Sequence, residues 1–174
     1  MSAPTSTLSR QPTLASSCAR AATAAEARFR IGYPDVSRRD SRVIALDEQT
    51  AELARRLATS AERWRGGHFL VFEAVAPAGD EARLRTTDGT QALLSQELAS
   101  ADTVVMLAGA NASAEAAAVI GDACAARSIM SAGLVVPGGG EVDGVVSALR
   151  PNAMVLVILQ DGDDVAEILS ALRV

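Results

Sequence analysis

The chain of 174 residues contains no lysine, because all sixteen of its basic residues are arginine. Phosphate-binding loops ending in Gly-Lys-Ser/Thr, Schiff-base enzymes and response-regulator receivers all need a lysine ammonium group. The sequence therefore excludes these three mechanisms.

Histidine and cysteine are also scarce. His68 is the single histidine, and it begins a predicted strand, so we expect it at the edge of the sheet opposite a ligand site. Cys18 and Cys124 have neither metal-binding spacing nor the pattern of a disulfide framework. The sequence thus favours reduced thiols in a cytoplasmic protein and argues against a Ser-His-acid or Cys-His centre.

Aromatic residues make up 3% of the chain, whereas apolar residues make up 49%. A core of Ala, Val, Leu and Ile suits helices packed on a parallel sheet. The longest apolar run, Ala153 to Leu159, is far shorter than the roughly 20 residues of a membrane-spanning helix. We therefore expect no membrane association, and the length predicts one folded domain.

Charge is divided unevenly along the chain. Residues 1–87 carry 13 arginines and 10 acids, whereas residues 88–174 carry 3 arginines and 11 acids. Nucleic-acid binding needs a clustered positive surface. The acidic second half therefore predicts that nucleic acid is not a partner.

Residues 1–40 are rich in Arg, Ser and Ala, and large apolar residues are few among them. Such a composition buries too little apolar surface to offset the entropy of ordering, which predicts a flexible arm. A transit peptide, or an extra helix over Ala15 to Phe29, are the alternatives. An arginine-bearing arm can dock on an acidic partner, and the charged run Arg38 to Arg42 either pins it or is simply solvated.

Residues 41–174 alternate short apolar runs with helical segments, which predicts a single α/β domain. We predict a doubly wound, mainly parallel five-stranded sheet with helices on both faces, flavodoxin-like or Rossmann-like, in the order 2-1-3-4-5. Asp47 is the predicted N-cap of a helix from Glu48 to about Trp64. The segment from Ala76 to Asp88 is predicted as a loop or small edge hairpin, and Thr90 to Ala99 as a helix. The predicted buried strands are Arg42–Leu46, His68–Val75, Thr103–Ala108, Ile129–Val136 and Met154–Leu159.

Glycine and small polar residues follow the predicted strands, at the edge where α/β sheets bind ligands. Ligand binding has an alternative at two of these turns. Ser113 can simply cap a helix, and the glycines Gly138, Gly139 and Gly140 can simply form an unconstrained loop. We predict no metal site, and the alternative is a magnesium site formed by Asp47, Asp161 and Asp163. The sequence indicates no cofactor. The predicted ligand-binding residues are Gly109, Asn111, Ser113, Gly138, Gly139, Gly140 and Asp161.

The segment from Ala101 to Gly109, with the helix after it and Gly133 to Val136, resembles the nucleotide-binding core of tubulin-like division GTPases. It is also similar to sugar-isomerase-type domains. The resemblance covers about 35 residues and implies shared α/β geometry. Gly109-Ala110-Asn111-Ala112-Ser113 replaces the GTPase phosphate signature, and the isomerase serine cluster is largely missing, so no active residue carries over.

These observations favour a small non-catalytic binding or accessory subunit of a larger protein assembly, which docks through its N-terminal arm. A protein partner or a second copy of the chain is expected. The alternative is an enzyme or sensor that binds an anionic, phosphorylated or nucleotide-like small molecule at the carboxyl edge of the sheet.

Overall fold

The computed structural model describes residues 39–60, 63–75 and 82–174 of the chain. They form one seven-stranded mixed sheet in the order β4-β3-β2-β1-β5-β6-β7. The predicted arm lies outside the described residues except for Arg39 and Asp40. The strands are β1 (Ser41–Ala45), β2 (Gly67–Val75), β3 (Ala82–Thr86), β4 (Gln91–Leu93), β5 (Thr103–Ala108), β6 (Met130–Val135) and β7 (Val155–Ile158), and the helices are α1 (Glu48–Ala58), α2 (Leu94–Glu97), α3 (Ala114–Ala126), α4 (Asp143–Leu149) and α5 (Val165–Ala171).

The sheet is mixed and seven-stranded, so the prediction of a five-stranded sheet is wrong. The predicted strands correspond to β2-β1-β5-β6-β7, which are adjacent and parallel. β3 extends the sheet antiparallel to β2, and β4 extends it antiparallel to β3. β3 lies in the segment predicted as a loop or small edge hairpin, and β4 lies in the segment predicted as a helix. β3 was obscured in the sequence because buried Ala82 and Leu84 alternate with exposed Arg83 and Arg85, so that one face of the strand is charged.

Helices cover both faces of the sheet because alternate strand residues point to opposite sides. On one face, α2, α3 and α4 pack against a core that includes Ile44, Val104 and Met106. On the other face, α1 and α5 pack against a core that includes Val43 and Leu107. Within the described part of the chain, no helix has the length and apolar character needed to cross a membrane.

The fifth predicted strand is not buried, contrary to expectation. β7 is the last strand of the sheet, and Val155 is 41% exposed and Ile158 54% exposed, while Met154, which precedes the strand, is 75% exposed. They are the exposed large apolar side chains of the described residues. A strand at an edge has a neighbour on one side only, so its own apolar sequence does not ensure burial.

Arg42 lies inside the fold, which corrects its interpretation as part of a solvated charge run. Its side chain is 3% exposed, and Nη2 donates to Ser100 Oγ at 2.9 Å. Its Nε lies 2.8 Å from Glu97 Oε2 without a hydrogen bond, so that contact is Coulombic. Arg42 Nη1 also donates to Asp40, and the four residues tie the beginning of β1 to α2.

Asp40 makes stability depend on acidity. The hydrogen bond from Arg42 holds the pKa of the Asp40 carboxyl below its ordinary value of 3.8. A lowered pKa stabilises the fold above the unfolded-state value, and this contribution disappears as the pH falls through the folded-state value. We therefore expect Asp40→Asn to lower the urea midpoint at pH 7 and at pH 5 alike, and the difference from wild type to shrink below about pH 4. Glu141→Gln, at an exposed position, controls for the loss of one charge, and a difference that grows below pH 4 contradicts the assignment.

Candidate functional site

The carboxyl ends of β1, β5, β6 and β7 bring four loops to one edge of the sheet, as parallel strands require. The loop after β1 contacts its neighbours most closely. A Cβ added to Gly109 would lie 2.7 Å from Asp47 Oδ2 and 3.0 Å from Gln49 Oε1. Gly109 is therefore required because the two loops approach each other, and a ligand is not needed to explain it.

The Asp47 carboxylate accepts three hydrogen bonds within the fold. Its Oδ1 accepts hydrogen bonds from Thr50 N at 2.8 Å and Thr50 Oγ1 at 2.9 Å, and its Oδ2 accepts one from Gly109 N at 2.6 Å. Asp47 is the N-cap of α1, as predicted. The Gly109 amide therefore already has an acceptor and is not free for an anion.

Ser113 is the N-cap of α3, the alternative to ligand binding. Its Oγ accepts a hydrogen bond from Ala116 N at 3.2 Å. Asn111, two residues earlier, is exposed. The turn after β5 therefore combines a capped helix with one exposed amide side chain.

The glycines after β6 have different roles. Gly138 has a φ of +56° and Gly139 a φ of +87°, so both adopt the left-handed region that disfavours other residues. A Cβ on Gly140 would lie 2.6 Å from Ala110 Cβ, whereas one on Gly139 would meet open space. Gly140 thus permits the approach of the loop after β5, and Gly139 faces solvent.

A cleft of about 420 Å³ lies between α1 and the loops after β6 and β7. Of the predicted residues, Gly138, Gly139 and Asp161 line it, whereas Gly109, Asn111, Ser113 and Gly140 do not. Asp161 Oδ1 accepts a hydrogen bond from Asp163 N at 3.1 Å. The structure therefore brings together three of the seven predicted positions.

Two further cleft residues, Gln49 and Arg56, were not predicted. They are seven residues apart on α1, which is about two helical turns, so they lie on the same face. This spacing is present in the sequence, but polar residues are common on the exposed face of an amphipathic helix. Nothing in the sequence therefore distinguishes these two as cleft residues. Gln49 Nε2 also donates to the Val136 carbonyl oxygen at 3.5 Å. Two residues that line the cleft are therefore hydrogen-bonded to each other.

A second cleft, of about 470 Å³, lies between α1 and the strands β2 and β3. Its cations are already paired: Arg55 contacts Glu48 at 2.9 Å, and Arg85 forms an ion pair with Glu73. A charged ligand would have to break these pairs, so this cleft has no evident binding chemistry.

The residues best suited to catalysis lie away from the carboxyl edge. His68 is the second residue of β2 and lies at the opposite edge, where its Nδ1 is 3.3 Å from Glu97 Oε2. Cys124 is buried in α3, and burial raises the pKa of its thiol to about 11, so that it stays protonated at neutral pH. In the ranges that the structure describes, no group of three or more His, Cys, Asp or Glu could hold a metal ion.

The exposed apolar residues of the sheet lie on and beside its last strand, β7. We use "β7 edge" for Met154, Val155 and Ile158, together with the backbone of β7 on the side away from β6. A groove of about 460 Å³ adjoins it, lined in part by Met154, Ala153 and Ile129. The β7 edge is therefore part of a larger uncovered surface.

Removing the Asp47 side chain tests how far it holds the carboxyl edge together. Asp47→Ala removes the cap of α1 and leaves the buried Gly109 N–H without its acceptor, so we expect a loss of about 2–4 kcal/mol in the free energy of unfolding. Ser113→Ala removes a cap alone and should cost about 1 kcal/mol. Urea denaturation of the two variants provides the comparison. Equal losses would mean that the bond to Gly109 contributes nothing.

Comparison with known proteins assigns no family to this chain. No protein-family model matches it, and no curated protein matches it significantly. Its function is therefore inferred from its own geometry.

Proposed function

We propose that the protein is a small, non-catalytic α/β binding subunit of a larger protein assembly. The observation that carries this proposal is the β7 edge, where three large apolar side chains are exposed and no strand of the described residues pairs with one side of the β7 backbone. An exposed apolar edge strand offers unpaired N–H and C=O groups to another chain. A partner chain can use both the backbone and the side chains of such a strand, because backbone pairing gives affinity and the side chains give specificity.

Natural edge strands are usually protected by charged residues, proline or bulges. The run from Ala153 to Leu159 contains no charged residue and no proline. Burying apolar surface gains about 25 cal/mol per Å², so covering these side chains favours association. This absence of protection supports a role in which the edge is occupied.

The carboxyl edge supports binding more than chemistry. Its best-placed carboxylate, Asp47, is engaged by Thr50 and Gly109, and the Ser113 hydroxyl caps α3. A general acid or base must reach a substrate proton, whereas Asp47 is held by contacts within the fold. These contacts favour the non-catalytic proposal over an enzyme.

The N-terminal segment provides a second docking element in this proposal. Its first thirty residues contain four arginines and one acid, Glu26, whereas the second half of the chain has a large excess of acids. Such a segment suits an acidic partner surface. We propose a cytoplasmic assembly without nucleic acid.

Gel filtration of the tagged full chain from its native cells tests the proposal. We expect wild type to elute in a complex larger than the 17.9 kDa of one chain, and Ile158→Lys to elute at lower mass because a charge now lies in the β7 edge. Ala99→Lys places the same charge at an exposed position before β5 and should behave as wild type. Deleting residues 1–30 should remove a heterologous companion while leaving the melting temperature unchanged. A native chain that elutes as a monomer overturns the proposal.

The 420 Å³ cleft supports a second candidate function, the binding of a phosphorylated or nucleotide-like small molecule. The specific observation is Gly139, whose left-handed backbone leaves open space where a ligand can approach closely. Arg56 is the cation of this cleft, but Asp161 and Asp163 also line it. This charge balance works against an anion and makes the proposal second to protein binding.

A thermal-shift screen of nucleotides and sugar phosphates tests the ligand. A true ligand at a hundredfold excess over its dissociation constant should stabilise the fold by about 2.7 kcal/mol. Gly139→Val should abolish this gain. Gly89→Val is the matched control, because Gly89 has a φ of +95° and the same open space, so it shares the backbone strain but lies away from the cleft. A gain that survives Gly139→Val, or no gain with any compound, contradicts this second function.

A further inference from the structure

We infer that the β7 edge binds a second copy of this chain, with the two β7 strands antiparallel about a twofold axis at Leu156. This inference rests on the proposed function and names the partner at its association surface. The contact would join two seven-stranded sheets into one continuous sheet.

The exposed side chains of the β7 edge are self-complementary under this symmetry. Met154 and Ile158 are four residues apart, so in an extended strand they share a face with Leu156, which packs against the core under α3 and α4. A twofold axis perpendicular to the sheet at Leu156 places Met154 of each copy opposite Ile158 of the other, and Val155 opposite Val157. The two most exposed large apolar side chains of the described residues thereby cover each other.

The charges at the ends of β7 favour the antiparallel arrangement. The carboxyl end carries the exposed acids Asp161 and Asp163, and Asp143 begins α4 at the same end. The amino end carries Arg150, which has no ion-pair partner among the described residues, and Asp122 of α3 beside Met154. Antiparallel pairing brings the acidic end of one copy to the nearly neutral end of the other, whereas parallel pairing would place acids beside acids.

The helix α4 extends this complementarity beyond the strand. It connects the parallel strands β6 and β7, so it runs antiparallel to them, with Asp143 at its first turn and Arg150 at its C-cap. In the twofold pair, both α4 helices lie on the same face of the joined sheet and run in opposite directions. Each Arg150 then approaches the Asp143 of the other copy.

The size of the contact requires this contribution from α4. Stable interfaces bury about 1,200–2,000 Å² in total, which is more than a pair of four-residue strands supplies. An isologous contact also closes on itself, whereas head-to-tail pairing continues into a filament. After closure, the free edges of the joined sheet are the two β4 strands, each only three residues long.

Light scattering on the purified full chain tests the inference. We expect a mass twice the 17.9 kDa of one chain at micromolar concentration. Ile158→Lys should give a monomer, and Ala99→Lys a dimer as in wild type. Circular dichroism and the melting temperature of a dilute sample check that each variant folds.

A charge exchange tests the orientation and does not rely on the apolar substitution. Arg150→Glu should weaken the dimer at least fivefold, because it places an acid beside the acids of the other copy. Arg150→Glu combined with Asp143→Arg should restore much of the affinity, since the pair is rebuilt with reversed signs. Failure of Ile158→Lys to fold leaves this comparison available.

The outcomes separate this inference from the proposed function. A purified chain that stays monomeric while its native complex depends on Ile158 would mean that β7 binds a different protein, which overturns the inference and keeps the function. A dimer unaffected by both Ile158→Lys and Arg150→Glu, or oligomers that grow with concentration, would overturn the twofold β7 contact. A chain that is monomeric both purified and in its cells overturns both.

Discussion

The hydrogen bonds of the Asp47 carboxylate hold together the two central strands of the sheet at the edge where their loops leave it. β1 and β5 are neighbours, and Asp47 at the end of β1 accepts the first amide after β5 while it caps α1. One carboxylate therefore fixes the start of a helix and the spacing of two loops. The same contacts remove Asp47 and the Gly109 amide from the groups available to a ligand, so the stability of this edge limits its chemistry.

Arg42 makes a comparable connection at the opposite end of β1. Because its guanidinium is almost fully buried, it needs partners, and Asp40, Glu97 and Ser100 provide them. Removing one partner of a buried ion pair leaves an uncompensated charge, which costs more than the pair contributes. The cluster therefore favours one placement of the segment before β5 against β1. Because Glu97 is a partner of Arg42, its position beside His68 does not require a catalytic role.

Local patterns predicted much of the fold. Short apolar runs predicted the central strands. A cap was predicted at Asp47, and a cap was the alternative to ligand binding at Ser113, because both side chains directly precede helical patterns. The sequence failed where tertiary contacts decide. The helix after Asp47 was predicted to reach Trp64 but ends at Ala58, and β4 occupies three residues of a predicted helix.

The candidate site shows the same limit. That strand ends meet at one edge follows from parallel topology, so Gly138, Gly139 and Asp161 could be placed near one another. Which of them face a cleft depends on the close approach of Gly140 to Ala110 and of Gly109 to Asp47. These distances join residues far apart in the chain, and no short motif encodes them.

The distribution of charge across the sheet connects the absence of lysine to association. Lysine is the residue that edge strands often use against unwanted pairing. In this chain arginine takes that place at neither edge, because Arg83 and Arg85 lie on β3, which is paired on both sides. The edge strand beyond it, β4, is protected by its length of only three residues. The run from Ala153 to Leu159 has no such charge and instead presents Met154 and Ile158. A sheet with one protected edge and one open edge tends to associate through the open edge. A self-complementary pair covers the open edge of both copies and leaves none for a longer assembly.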